Sequence, residues 1–286
     1  MMSDNIGILH PGAMGISVAA SAKAGGNQVF WVSAGRSLAS RERAEAHQLM
    51  DAHSIERLAG RCQTIISICP PHAAEKVAAD IIAAGFRGLY VDGNAIAPQR
   101  AQRIGAMLEA AGISFVDGGI IGGPAWEAGR TWLYLSGDRA EEVAPIFEKG
   151  PLETEILGQN IGDASALKMC FAAYTKGSTA LLSGIVATSE ALGVREALFR
   201  QWSRRGSDFA DQSEERVRSV TAKAWRFAGE MEEIAATFEG AGLPDGFHLA
   251  AREIYRRMAD FKDAQETPSL AAVIAALLEG DGSANS

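Results

Sequence analysis

Cysteine is scarce, with three residues in 286: Cys62, Cys69 and Cys170. None forms a CxxC pair and none stands at metal-type spacing from a histidine, which argues against a disulfide framework or a zinc site. A reducing, cytoplasmic setting is expected. Positive charge is also short, 27 Lys+Arg against 35 Asp+Glu for a net charge of −8. Nucleic acids and anionic membranes reward a basic surface, so neither is an expected partner, although a local basic pocket for a phosphate stays open. No apolar run approaches the ~20 residues that span a bilayer. The segment Met1–Asn5 lacks a basic n-region and leads straight into a strand-like run, so no signal peptide is expected. Internal repeats and low-complexity stretches are missing. What is present, 47% hydrophobic and 22% charged residues, is ordinary for a globular protein, and the length suffices for two domains.

The first half alternates short apolar runs with helix-like stretches. Strands are predicted at Ile6–Leu9, Gln28–Val32, Thr64–Ile68, Gly88–Val91, Ile113–Val116 and Thr131–Leu135. Between them, helices are predicted at Ile16–Ala24, Arg41–Met50, His72–Ala84 and Ala101–Ala110. Such alternation implies right-handed βαβ units and a parallel sheet. From Gly162 to about Gly280 no strand pattern is found. One long helix is predicted over Ala164–Leu192, with Gly193 as its C-cap. Others are predicted at Val194–Arg204, Asp208–Phe227, Met231–Gly240, Phe247–Ala259 and Ser269–Leu278. The small, polar tail 280–286 is expected to fray. The fold class is therefore α/β, a Rossmann-type dinucleotide-binding domain over 1–161 followed by an all-helical domain over 162–286.

The run from Ile6 to Gly15 carries the first chemical signal. A strand enters a tight turn, His10-Pro11-Gly12-Ala13-Met14-Gly15, and a helix opens on small residues. Dinucleotide loops need a tight turn, a glycine that admits the pyrophosphate and a glycine for close helix–strand packing. Gly12 and Gly15 fill the second and third positions, while His10 stands at the first. The alternative is a glycine-rich turn in an α/β protein that binds no nucleotide. An NAD site usually places an acid ~20 residues further on to hold the ribose 2′-OH. Here Ser33-Ala34-Gly35-Arg36-Ser37 has no acid. Ser33, Arg36 and Ser37 offer donors, and the planar fork of Arg36 suits a 2′-phosphate, so NADP is the expected cofactor. Alternatively, Arg36 is an ordinary solvated loop charge.

Lys168 lies in the apolar run Ala164–Ala173. A lysine shielded from water loses basicity and becomes a useful proton donor or acceptor. The bland reading is a snorkelling side chain with its head in water. Lys176, eight residues on, is the competing candidate. His72 and His248 lack a paired acid, Glu232-Glu233 reads as a solvated helix face, and Trp202, Trp225 and Phe227 read as core or dimer contacts or as cover for the substrate.

Taken in order, LHPGAMG (9–15), SAGRS (33–37), SICPPHAA (67–74), VDGNAIAP (91–98), FVDGGIIGGPA (115–125), SALKM (165–169) and EMEEIAATFEGAGLP (230–244) carry a resemblance. The chain resembles the β-hydroxyacid and 6-phosphogluconate dehydrogenase superfamily, in the branch whose C-terminal domain is DUF1932. The resemblance implies that Pro11, Gly12, Ala13 and Met14 hold the pyrophosphate and that Cys69, Pro70 and Pro71 line the nicotinamide side. It implies that Asn94 touches nicotinamide and substrate, that Gly122 and Gly123 bind a substrate carboxylate, and that Lys168 is the catalytic lysine. It further implies a small polar substrate in an interdomain cleft and a homodimer built through the helical domain. Ala172 stands where the classical enzymes have an asparagine, and Glu230–Glu232 stands near their downstream Lys-Asp pair. An imine reductase on the same scaffold, in which the lysine is usually replaced, and a non-catalytic NADP sensor are the rival expectations.

Overall fold

The structure, a computed structural model, describes residues 4–279. The polar tail expected to fray lies outside the described residues. By its internal contacts the chain divides into one compact unit up to Met169 and another from Cys170.

In the first unit the strands are β1 (Asn5–Ile8), β2 (Gln28–Trp31), β3 (Met50–Asp51), β4 (Thr64–Ser67), β5 (Leu89–Asp92), β6 (Ser114–Ile121), β7 (Thr131–Ser136) and β8 (Leu152–Gly158). They form one sheet in the order β3-β2-β1-β4-β5-β6-β7-β8. The helices between them are α1 (Ala13–Ala24), α2 (Leu38–Ala46), α3 (Ile55–Ala59), α4 (Ala74–Ala83), α5 (Pro98–Ala110) and α6 (Ala140–Val143). Strand alternation sends successive side chains to opposite faces. Ile66, Val91 and Val116 therefore join the core on one side, and Ile65, Tyr90 and Phe115 that on the other. Each fully buried aliphatic side chain contributes roughly 1.5–3 kcal/mol relative to exposure. The order from β3 to β6 is the doubly wound arrangement, in which ligands sit beyond the carboxyl ends of the strands where the order reverses, here between β1 and β4.

Several sequence expectations are corrected. The sheet is not wholly parallel, because β7 runs antiparallel to β6. The helix predicted to reach Met50 ends at Ala46, and Met50–Asp51 pairs with β2 as an edge strand. β6 continues past Val116 through a glycine pair to Ile121. β8 was not anticipated; its residues LETEILG are half-buried or exposed apart from Leu152, and they contain no apolar run.

The long α7 (Asp163–Ala191) begins in the first unit and continues into the second. It is followed by α8 (Arg195–Trp202), α9 (Phe209–Ser219), α10 (Thr221–Gly240), α11 (Gly246–Arg257) and α12 (Leu270–Glu279). The break predicted between Phe227 and Met231 does not occur: α10 runs through it, and a Cβ on Gly229 would meet nothing within 4 Å. The break falls at Val220 instead, between the buried Val217 and Thr221. Glu233, expected in solvent, is 5% exposed. Among the described residues no helix is long and apolar enough to cross a membrane.

Candidate functional site

The turn after β1 is built by steric necessity. A Cβ on Gly15 would lie 2.0 Å from the His10 carbonyl oxygen, so only glycine lets α1 press against the turn. The buried face of α1 is made of small side chains with Ile16 and Val18 among them, which keeps the helix close to the sheet. Its N-cap is Gly12, in extended backbone (φ −71°, ψ −171°), and no side chain caps it. A Cβ on Gly12 would meet nothing within 4 Å. The helix mouth at Ala13 and Met14 thus presents backbone N–H groups and positive dipole to open space, the geometry that takes a phosphate. Pro11 is buried, and its carbonyl accepts the Arg43 Nε at 3.1 Å, which ties α2 to the turn.

The loop after β2 supplies the basic side. Ser33 N–H donates to Asp51 Oδ1 at 3.2 Å, and the Ser33 carbonyl accepts Arg36 N–H at 3.2 Å and the Arg41 guanidinium at 3.2 Å. Ser37 caps α2 by accepting Ser40 N–H at 3.3 Å. Arg36 is half-buried, and its Nε is buried without a hydrogen-bond partner. Burial lowers its pKa. Its charge reaches His10, whose imidazole is held down to about 4 by burial first and Arg36 second. His10 is therefore neutral near pH 7, and its Nδ1 also lacks a partner. An orphaned guanidinium nitrogen, an orphaned imidazole nitrogen and an uncapped helix mouth fit the phosphates of a dinucleotide.

A row of buried polar groups crosses the sheet beside this loop. Ser67, Asp92, Asp117 and Ser136 are paired in register on β4, β5, β6 and β7, and all are fully buried. Asp117 grips the start of α7. It accepts Ser165 Oγ at 2.6 Å, Ser165 N–H at 2.9 Å, Gly162 N–H at 3.0 Å and Ser136 Oγ at 3.2 Å. Ser136 Oγ in turn accepts Ala164 N–H at 3.1 Å. Burial raises the Asp117 carboxyl, and the bonds from Ser165, Ser136 and Gly162 pull it back. A carboxylate at a helix N-terminus satisfies orphan donors and complements the dipole.

That cap fixes Lys168, which lies on α7 just after the gripped residues. A Cβ on Gly119 of β6 would meet the Ala164 carbonyl oxygen at 2.5 Å and Lys168 Cβ at 3.1 Å, so α7 rests directly on the strand at this glycine. The competing Lys176 belongs to the second unit, where it pairs with Glu230 and lies 4.7 Å from the centre of the Phe227 ring. Tyr255 Oη donates to its carbonyl at 2.8 Å.

The remaining expected residues differ in burial and in hydrogen bonding. Asn94, 2% exposed, accepts Cys69 N–H at 2.5 Å and donates to Ser67 Oγ at 3.3 Å. Cys69 is half-buried, its thiol pushed up to about 12 by burial; Pro70 is exposed and Pro71 half-buried. Gly122 (φ +126°) is required by the turn, where a Cβ would strike the Arg130 carbonyl oxygen at 2.5 Å. Gly123 faces open space, and its carbonyl accepts Thr131 Oγ1 at 2.8 Å. Two residues on, Ala125 N–H donates at 2.9 Å to Ser17 Oγ of α1.

Sequence reasoning missed Asp92, Asp117, Gly119, Ser17, Arg41 and Arg43. A signal existed for the acids. The tripeptide Val-Asp-Gly occurs twice, at 91–93 and 116–118, each time placing an acid at the end of an apolar strand run. Among the described residues no group of three or more His, Cys, Asp or Glu could hold a metal ion.

The family model described as the NAD binding domain of 6-phosphogluconate dehydrogenase matches residues 5–153, which is 149 of 286. DUF1932, a domain of unknown function, matches residues 189–258. A protein of Methanothermus fervidus, described as an uncharacterized 28.5 kDa protein in the 7S RNA 5′ region, is 29% identical over 132 residues, 46% of this chain. The chain spans only 50% of that relative's length. Among solved structures, MTH1747 is described as a conserved protein of unknown function with structural similarity to 3-hydroxyacid dehydrogenases. It is 28% identical, with 90% of this chain and 97% of that one covered at a TM-score of 0.64. The Mycobacterium tuberculosis 3-hydroxyisobutyrate dehydrogenase, solved with L-serine, shares the fold at a TM-score of 0.68, 19% identity and coverage of 96% and 99%. The chain belongs to the family of the 6-phosphogluconate dehydrogenase NAD binding domain, an NAD(P)-binding fold that here precedes a helical DUF1932 region.

Proposed function

We propose that the protein is an NADP-dependent oxidoreductase acting on a small β-hydroxy acid or a related alcohol or carbonyl compound. The observation that carries the reading is Lys168, held on the first turns of α7 by the buried Asp117 cap and resting on β6 beyond its last residue paired with β5. Bound NADP(H) supplies or accepts the hydride. Lys168 Nζ takes the hydroxyl proton in oxidation and returns a proton to the oxygen in reduction. Asn94 and the open backbone at Gly123 orient the substrate, and Gly122 holds the turn that presents Gly123. Cys69, Pro70 and Pro71 shield the nicotinamide side.

Arg36 supports NADP over NAD, with Ser33 and Ser37 beside it and no acid in the loop. A charge-assisted bond to phosphate contributes roughly 1.5–3 kcal/mol. Arg36→Ala is expected to weaken NADPH by about 10- to 100-fold and NADH by less than about threefold on that basis. Fluorescence titration of both cofactors checks this, and equal losses refute the clamp.

The helical unit supports a homodimer. Leu181 (52%), Ile185 (38%), Leu192 (70%) and Phe247 (48%) are exposed along one apolar groove formed by α7, the turn that follows it and α11. Contiguous exposed apolar surface of this kind marks an interface. Light scattering is expected to give twice the mass of one chain, and a Leu181→Glu/Ile185→Glu double variant is expected to be monomeric. The sparse cysteines, with no CxxC pair among them, support a reducing, cytoplasmic setting.

A further inference from the structure

A second carboxylate remains beside the one that caps α7. Asp92 is fully buried on β5, directly opposite Asp117. Its Oδ1 accepts Asn94 N–H at 2.9 Å, while its Oδ2 is buried without a hydrogen-bond partner. Asn94 passes the hold onward, because its side chain accepts Cys69 N–H at 2.5 Å and reaches Ser67 at 3.3 Å. Asp92, Asn94 and Cys69 thus form a chain of hydrogen bonds from inside the sheet to the Cys69–Pro71 turn.

We propose that Asp92 is a positioning residue for the cofactor: through Asn94 it fixes the turn that flanks the nicotinamide, and it does so more firmly as a carboxylate than as a carboxylic acid. The inference rests on the cofactor placement proposed above. A charged acceptor binds an N–H about twice as strongly as a neutral one, so the state of Asp92 sets how rigidly Asn94 and the turn are held. Burial, opposed by the Asn94 bonds, and the facing Asp117 put the Asp92 carboxyl at about 7. The other titratable groups around it are Tyr90 on its own strand and Cys69 beyond β4, both shifted upward by burial. Between pH 6 and pH 8 Asp92 therefore passes from mostly protonated to mostly charged.

Asp92→Asn keeps the shape and the Oδ1 acceptor and removes the titration. NADPH is titrated by its fluorescence against wild type, Asp92→Asn and Asn94→Ala at pH 6 and pH 8. The phosphate of the cofactor titrates in the same window, so the quantity read is the ratio of variant to wild-type Kd at each pH. For Asp92→Asn that ratio is expected to rise about fivefold from pH 6 to pH 8, the gap between neutral and charged hydrogen bonds. Asn94→Ala breaks the chain and is expected to show the same pH trend. A ratio indifferent to pH in either variant overturns the role of Asp92 and leaves the cofactor reading standing. Wild type that binds no NADPH at either pH overturns the cofactor reading and this inference with it.

Melting of the cofactor-free proteins gives a second readout. A carboxyl whose folded pKa is raised loses stability as pH climbs from its unfolded value to its folded one. The melting temperature of Asp92→Asn minus that of wild type should therefore grow from pH 4 to about pH 7 and then level off. A difference that stays flat across this window overturns the proposal.

Discussion

Replacing Lys168 with alanine is expected to lower turnover by ~10²–10⁴-fold, the usual contribution of a positioned acid–base group. NADPH affinity should stay within about twofold, since only the proton-transferring group is removed. The substitution sits on the half-exposed side of α7, where alanine is the best helix former, so the fold should tolerate it. NADPH oxidation against a panel of carbonyl acids, and NADP reduction against the matching hydroxy acids, gives the measurement. Lys168→Arg should be nearly as inactive, because guanidinium does not give up its proton near neutrality. Lys176→Met is the contrasting control. It strands Glu230 beside Phe227 and should cost the helical unit stability, on the order of 3 kcal/mol for a broken, mostly buried pair. If wild type binds NADPH and turns over nothing on the panel, the sensor reading prevails. If Lys168→Ala keeps wild-type turnover, the proton transfer belongs to another group.

Gly15→Ala is expected to abolish cofactor binding and to destabilise the first unit. The new Cβ would stand 2.0 Å from the His10 oxygen and 3.0 Å from its carbonyl carbon, both backbone atoms that cannot rotate away. Forcing atoms into a packed site costs about 1–3 kcal/mol or more, so melting should fall by roughly 5–10 °C. Gly12→Ala separates stability from binding. Its Cβ meets nothing within 4 Å and its φ of −71° suits alanine, so the cofactor-free protein should melt within about 2 °C of wild type. NADPH binding should nevertheless be lost, because the methyl would occupy the space proposed for the pyrophosphate. Gly12→Ala binding as tightly as wild type would place the cofactor away from this turn.

Much of this architecture is legible in the order of residues. The apolar runs at 64–68 and 88–91 are local signals, and each lands within a residue of its strand, while the glycine turn at 10–15 marks where α1 begins, at Ala13 rather than Ile16. The failures have physical causes. β3 is two residues long and β8 is half-buried or exposed apart from Leu152, so neither needs an apolar run to pair at the sheet edge. The boundary between α9 and α10 has no glycine or proline to announce it, and packing around Val217 and Thr221 sets it instead. In the site, the turn and loop residues were legible because a local motif carries them. Asp92 and Asp117 were not, because strand register brings them together from 25 positions apart.

The two Val-Asp-Gly tripeptides occupy equivalent places on adjacent strands and yet do different work, one steadying a turn through Asn94 and the other anchoring a helix. Side chains on a strand change face at every step. Deleting a single residue from β5 or β6 would therefore swing the acid out of its polar row and put an aliphatic group among the donors. Chain length within these strands is as tightly constrained as the chemistry at their ends, so related proteins should vary in length in the connecting loops and keep these two strands free of insertions.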